Sequence, residues 1–357
     1  MTRASALIPI HNKPTTLQLT VDTVLRQSVE DLEVLLIGDG VTDEVRVVVE
    51  GLVGSDGRVR FLDFPKGPHH GERYRHDAIE AARSDALFYL CDDDLLLPDH
   101  VADLLGLLEQ HSFVQNLNGE VRPDGQVRFY AADLADPGVV AMHLRDDIRF
   151  CSVSITGTAH TRALYDAVGD RWDTTPAGWW PDHWQFRKLM RHPSYVGATS
   201  PRMTALQFPT SSDGRDTWTD EQRLAELEPW HRLVVAPGGQ ADIDARCEAG
   251  RRAQLIEERA AIALLHRDLA WIRDKHEKVT EDQRWLRQKH DESQVHLEWL
   301  AGQHEHQSQL AAAAESSAAA LRAGLQTRDA HIARLRARVA KKNATIARLR
   351  ARRENSG

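Results

Sequence analysis

Cysteine is scarce in this chain: 357 residues hold only Cys91, Cys151 and Cys247. An odd number, far apart and outside metal-ligand spacing, argues against a disulfide framework and fits a reducing compartment. Long apolar runs are missing too. No stretch approaches the roughly 18 apolar residues of a membrane span. The N-terminal Ala6-Leu7-Ile8-Pro9-Ile10 is too short for a signal peptide and reads as a strand. An excess of positive charge is also absent. The formal net charge of −8 and pI near 6.1 do not suggest a nucleic-acid binder overall. A soluble cytoplasmic protein is the expectation. What is present is core material: 41% apolar residues and nine Trp, enough for two domains or for one larger domain with an appendage.

Residues 1–110 alternate between two periodicities. Residues 4–10 read as a strand with the turn signal His11-Asn12-Lys13-Pro14 behind it, and Thr16 to Gln27 then carries Leu17, Val21, Val24 and Leu25 at helical spacing. Leu32–Ile37 is a second apolar strand closing on Gly38-Asp39-Gly40. A helix over 43–53, a strand Val59–Phe64, a helix over 72–83 and a strand Leu87–Leu90 follow. This alternation predicts an α/β fold with a parallel sheet covered on both faces, the nucleotide-binding half of a doubly wound architecture. Residues 111–240 are less regular. Short strands Val127–Tyr130 and Ser152–Thr156, a helix over 161–168, an aromatic-rich segment 172–186 and a polar loop 209–220 suggest a second half of the same domain, ending at Ala236-Pro237-Gly238-Gly239.

Within the first half, Phe88-Tyr89-Leu90-Cys91-Asp92-Asp93-Asp94 is an apolar strand that ends in three carboxylates. Adjacent negative charges repel and stay together only where a cation or hydrogen-bond donors offset them. Ligands of open α/β sheets bind beyond the carboxyl ends of the strands. A hard divalent cation bridging to nucleotide phosphates is therefore one reading. A solvated loop or a helix N-cap is the plainer one.

Four segments, in order, carry a resemblance: Pro9-Ile10-His11-Asn12, Gly38-Asp39-Gly40-Val41-Thr42-Asp43, Arg73-Tyr74-Arg75-His76-Asp77-Ala78-Ile79 and Asp92-Asp93-Asp94-Leu95-Leu96-Leu97-Pro98. With them, the part of the chain before about residue 200 resembles an inverting family 2 glycosyltransferase of the GT-A fold, in particular the spore-coat polysaccharide type. The resemblance implies a Rossmann-like mixed sheet. It also implies metal-dependent transfer of a sugar, with Mn²⁺ or Mg²⁺, from a UDP-, dTDP- or GDP-type nucleotide diphosphate sugar. The acceptor would be a hydroxyl of a glycan or lipid-linked molecule, in surface or extracellular glycan synthesis.

Donor-binding roles fall by the same resemblance on Pro9, Asn12, Asp39, Arg73, Arg75 and Asp92. Asp39 would meet the imide N–H of a uracil-type base, and the two arginines the diphosphate, which a planar guanidinium grips bidentately. Asp93 is the expected direct metal ligand, with Asp94 beside it. Inversion needs a base for the attacking hydroxyl. The segment Trp179-Trp180-Pro181-Asp182-His183-Trp184 gives that role to Asp182, with Trp179, Trp180 and Trp184 as a sugar-stacking surface. Three positions depart from the family pattern: Cys91 and Gly38 each replace an Asp, and Pro181 replaces a Glu. They open an alternative, a coiled-coil scaffold whose transferase body has lost catalysis.

After residue 248 the character changes. Trp271-Ile272-Arg273-Asp274-Lys275-His276 recurs every 14 residues, at Trp285 and Trp299, a step of two heptads. One stripe holds Leu265, Ile272, Val279, Leu286 and Leu300. A second holds Leu269, His276, Gln283, His290, Leu297 and His304, which gives residues 248–357 the pattern of a coiled coil with a half-polar seam. A parallel homo-oligomer is expected, made pH-sensitive by the seam histidines. The repeat restarts at Ile332 and Ile346 in a shifted frame, with the break expected in the Ala-rich 311–320. Arg334, Arg336, Arg338, Lys341, Lys342, Arg348, Arg350, Arg352 and Arg353 form a basic tail suited to an anionic membrane surface, hence a peripheral location at the inner face of the membrane. No fold signature supports nucleic-acid binding.

Overall fold

The computed structural model describes residues 2–130, 132–304 and 308–354, with side chains for 2–130, 132–294 and 318–343. It divides into two compact units, one built from the residues before Ile256 and one from Ile256–Arg353.

The first unit begins β1 (Ala4–Ile10), α1 (Pro14–Leu25), β2 (Leu32–Asp39), α2 (Asp43–Ser55), β3 (Val59–Phe64), α3 (Tyr74–Ala81), β4 (Ala86–Tyr89), β5 (Leu95–Leu96) and α4 (His100–Leu108). It continues β6 (Phe113–Gln115), β7 (Gly119–Val121), β8 (Val127–Phe129), α5 (Pro137–His143), β9 (Thr158–Thr161), α6 (Arg162–Val168), α7 (Pro181–Met190), β10 (Gly197–Thr199), β11 (Ala205–Gln207) and α8 (Asp220–Val235). A seven-stranded sheet runs in the order β10-β6-β9-β4-β1-β2-β3. Strands β1 to β4 are mutually parallel where they pair, and β9 inserts antiparallel between β4 and β6. The sheet is therefore mixed.

Burial on both faces explains why the strands read as apolar runs. All eight residues of β2 are buried, and they alternate between two cores. Val34 and Leu36 pack with Leu17 and Val21 of α1 and Val45 of α2, whereas Leu35 and Ile37 pack with Tyr74, Ala78 and Ile79 of α3.

The expected strand Ser152–Thr156 is irregular, and pairing starts only at Thr158. Gly157 is the reason. It sits at φ +83, and a Cβ there would run into the Asn116 side chain, so the chain turns before the strand begins.

A second sheet, in the order β5-β11-β7-β8, covers the other half. Its core joins Leu95, Val121, Val127 and Leu206 to Trp230 and Val234 of α8. The turn at Ala236-Pro237-Gly238 does not end this body. Helix α9 (Gly239–His304) starts at once, and its Ile243 and Cys247 lie in the same core. Gln254 accepts a hydrogen bond from Phe129 N at 2.8 Å.

In the second unit, α9 folds back on α10 (Ser308–Glu354). Val279 and Leu286 of α9 pack with Leu325, Ile332 and Leu335 of α10. The pairs are antiparallel: the Arg328 guanidinium meets Asp282 at 3.3 Å and lies over Trp285, and Lys342 lies over Trp271. The apolar residues Val279 and Leu286 are thus covered by α10 of the same chain. His276 and His290 are exposed, so they are not seam residues. Helix α10 runs through 311–320, where a break was expected. The side chains of Leu297, Trp299, Leu300, His304, Ile346, Arg348, Arg350, Arg352 and Arg353 lie outside the described residues.

Candidate functional site

A cleft of about 1020 Å³ opens beyond the carboxyl ends of β1, β2 and β4, where a ligand of a parallel sheet is expected. Its volume is at the upper end for small-molecule sites. Pro9, Asn12, Asp39, Arg75, Asp92 and Asp182 all line it. With Trp180, seven of the expected site residues, scattered over more than half of the first unit's sequence, therefore share one cavity.

The triple acid is resolved into three different fates. Asp92 accepts a hydrogen bond from the Lys13 ammonium at 3.0 Å, and Asp93 accepts one from the same nitrogen at 2.6 Å. The Thr210 hydroxyl donates to Asp93 at 3.1 Å, and the Arg223 guanidinium stands 4.0 Å from it. Burial alone would push the Lys13 ammonium down, but Asp92 and Asp93 outweigh it and hold the group well above the usual lysine range. Asp94 turns away from the cleft. One of its oxygens accepts from Phe208 N at 2.7 Å and the other meets the Thr156 hydroxyl. Asp94 therefore ties the end of β4 to the segment after β11, and this position does not support the role expected of it beside a metal.

Burial and the neighbouring Asp93 push the Asp94 carboxyl up to about 7. An acid whose folded pKa exceeds its unfolded value stabilises the fold while protonated. That contribution is complete below about pH 4 and is lost as pH rises through about 7. Asp94→Asn keeps an acceptor for Phe208 N and removes the titration. It should gain stability relative to the parent as pH rises from 4.5 to 8, on the order of 2 kcal/mol. Thermal unfolding across that range checks this, and a gap independent of pH would refute it.

The residues do not gather a divalent-cation site. Among the described residues no cluster of three or more His, Cys, Asp or Glu is placed to hold a metal. Asp94 is committed to Phe208 and Thr156, and Lys13 holds the other two acids. Cys91, where the family carries an acid, is a half-buried thiol at the cleft wall, pushed well above its usual range first by desolvation and then by Asp94 and Asp93; it stays protonated. Gly38 has its own cause: a Cβ there would lie 2.9 Å from the Phe61 ring.

Asp39 closes β2 and is nearly inaccessible. Its oxygens accept from the Lys66 ammonium at 2.5 Å and from Gly67 N at 2.6 Å, so the 66–71 loop wraps the carboxylate. Gly71, at φ +59, lets the loop pass; a Cβ there would collide with the Asp39 side chain. Arg73 and Arg75 part company. Arg73 is exposed over the Tyr74 ring and does not line the cleft, so its donor role is not supported by its position. Arg75 is 6% exposed, lies 4.8 Å over the Trp172 ring and lines the cleft. Its buried Nε and Nη1 have no hydrogen-bond partner.

Asp182 sits in the first turn of α7, where Pro181 occupies the first helical position and costs no backbone hydrogen bond. Its carboxylate accepts from His183 N at 2.8 Å. Burial raises its pKa, while that hydrogen bond and the charge of Arg75 pull the other way. The three tryptophans divide. Trp179 is sandwiched between Arg149 at 3.5 Å and Arg187 at 4.2 Å, and Trp184 donates to Asp173 and carries Lys188 over its ring. Neither lines the cleft, so the position of these two does not support the sugar-platform role expected of them. Trp180 alone of the three lines the cleft, 52% exposed.

Other cleft residues carried no motif. Glu120 of β7 accepts from Ser212 at 3.1 Å and from Arg122 at 3.2 Å. Tyr130 donates to Gln207. Lys13 was readable only as part of a turn signal. Of the four carboxylates that line the cleft, Asp39, Asp92 and Glu120 are each bound to a cationic side chain. Asp182 has no ion-pair partner among the described residues.

Residues 5–137 match the family described as Glycosyl transferase family 2. The chondroitin synthase of Pasteurella multocida is 34% identical over 126 residues, which are 34% of this chain and 13% of that enzyme. The GalNAc(5)-diNAcBac-PP-undecaprenol beta-1,3-glucosyltransferase of Campylobacter jejuni is 24% identical over 108 residues, 29% of this chain and 34% of that enzyme. The chain thus matches a minor part of the length of either relative. A crystal structure of S. aureus TarS 1–349 aligns with a TM-score of 0.46 at 13% identity, covering 69% of both chains.

Proposed function

We propose that this protein, whose residues 5–137 match the Glycosyl transferase family 2, transfers a sugar, with inversion, from a nucleotide diphosphate sugar to an acceptor hydroxyl. One juxtaposition carries the reading: an unsatisfied buried guanidinium and an unpaired carboxylate share a single cleft. Arg75 presents two N–H-bearing atoms with nothing to bond, a cost of about 1–3 kcal/mol that a phosphate oxygen would remove. Asp182, ionised and held by His183 N, is the base that takes the proton of the attacking hydroxyl. Trp180 beside it offers an indole face to the acceptor sugar. Asp39 and its loop lie at the far strand end, where the carboxylate suits the imide N–H of a uracil-type base.

The acceptor is a glycan or lipid-linked molecule, and the basic end of α10 (Arg334, Arg336, Arg338, Lys341, Lys342) suits a peripheral place at an anionic membrane. No helix among the described residues is long and apolar enough to cross one. The divalent cation implied by the resemblance enters no step here. Thermal shift with UDP, dTDP and GDP tests the donor site. At a hundredfold excess over Kd, one of them should raise Tm by about 5–10 °C; no shift with any would refute the reading and favour a scaffold role.

A further inference from the structure

Among the described residues, Lys13 is the cation that bridges Asp92 and Asp93 at the β4 edge. Its nitrogen lies 3.0 Å from Asp92, 2.6 Å from Asp93 and 3.4 Å from the Thr210 hydroxyl. Three segments distant in sequence thus converge on a single ammonium. The charges are already balanced, since Lys13 and Arg223 face Asp92 and Asp93. A divalent cation entering between these carboxylates would have to expel Lys13 and stand beside Arg223. Like-charge repulsion and the commitment of Asp94 to Phe208 and Thr156 both oppose it. The ammonium is nevertheless not sealed away. Its side chain is partly exposed and lines the same cleft as Arg75 and Asp182.

We infer that Lys13 supplies the fixed positive charge that meets the donor's diphosphate, in the place where a divalent cation would otherwise be required, so that nucleotide binding by this protein is independent of metal. The inference rests on the donor reading above. Asp92 and Asp93 act as positioning residues. They hold the ammonium at the cleft wall and keep it charged, and Thr210 fixes its third hydrogen bond. An ammonium carries three donors, so a phosphate oxygen can replace the long Thr210 contact while both carboxylates remain bound. Arg75, from α3, supplies the second charge. Two monovalent cations then face the diphosphate in place of one divalent ion.

The experiment is calorimetric titration of UDP, and of GDP and dTDP, into the full-length chain, in EDTA and again with added Mn²⁺. The expected result is one diphosphate bound with affinities within about threefold in the two conditions. Lys13→Gln removes a charge-assisted bond and should weaken binding in EDTA about 10- to 100-fold. Lys13→Arg, which keeps the charge, should recover most of the loss. Thermal melts of both variants control for folding. If Lys13→Gln fails to fold, the parent's response to EDTA and Mn²⁺ still decides the matter. Binding that requires Mn²⁺, or a folded Lys13→Gln that binds in EDTA as tightly as the parent, overturns the role of Lys13 and leaves the donor site intact. No binding of any diphosphate in either condition removes the donor reading, and this inference with it.

Discussion

Asp182→Asn should bind the nucleotide as the parent does, within about threefold, and lose transfer by about 10²- to 10⁴-fold, the usual contribution of a positioned general base. Asn is isosteric and keeps the acceptor for His183 N, so the start of α7 survives. What disappears is a site for the hydroxyl proton. The choice among carboxylates follows from their partners. A base bound to an ammonium or guanidinium is a poor proton acceptor, because the cation stabilises its ionised form. Asp39, Asp92 and Glu120 are each held that way. Asp182 is not, among the described residues; burial raises the proton affinity of Asp92 and Glu120 as well as that of Asp182, so the missing cation is what sets Asp182 apart.

The sign of the pH dependence follows. Asp182 acts ionised, so kcat/KM should rise with pH through a pKa above the ordinary aspartate value, and the Asn variant should lose that limb. Glu120→Gln, on the same cleft, should keep it. Turnover and its pH profile with a hydrolysable or accepted donor measure both. Retained turnover in Asp182→Asn removes it from the base role, and loss in Glu120→Gln instead transfers the role to Glu120.

The strands were legible because double burial writes them as apolar runs: Leu32–Ile37 reads the same whichever face it serves. The donor-side residues Pro9, Asn12, Asp39 and Asp92 were legible as motifs at strand ends, and the cleft unites them. Ranking within a motif was not. Three consecutive acids have one spacing but three environments, set by Lys13, Thr156 and Phe208, all far off in sequence. Arg73 and Arg75 differ for a reason the sequence does contain. Two residues apart at a helix start lie about 200° apart around the axis, so only one of them can face the sheet. The tryptophans were ambiguous because an indole suits a core, a cation or a sugar equally. Arg149 and Arg187 decide for Trp179. The stripes of the last helices were readable by their period, but the period does not name the helix that covers them. A heptad pattern records that a face is covered, and here Val279 and Leu286 of α9 are covered by α10 of the same chain.

Arg75→Met should separate stability from function in the opposite direction to most buried substitutions. The guanidinium is buried over Trp172 with two unsatisfied nitrogens, and replacing such a group by an apolar side chain of similar length is often neutral or stabilising. Without nucleotide, the variant's Tm should therefore equal or exceed the parent's. Nucleotide affinity should fall about 10- to 100-fold, the loss of a charge-assisted bond to phosphate. A second consequence reaches Asp182, whose pKa Arg75 lowers. With that charge gone, the acid limb of kcat/KM should move to higher pH, whereas Arg73→Met, at the surface, should move neither quantity. Thermal melts, nucleotide titration and the pH profile give three independent readouts. A purely structural arginine would lower Tm and leave affinity and pH profile in step with the folded fraction. A raised Tm joined to weak binding and a shifted limb instead marks a residue kept, at a cost to the fold, for the anion it awaits.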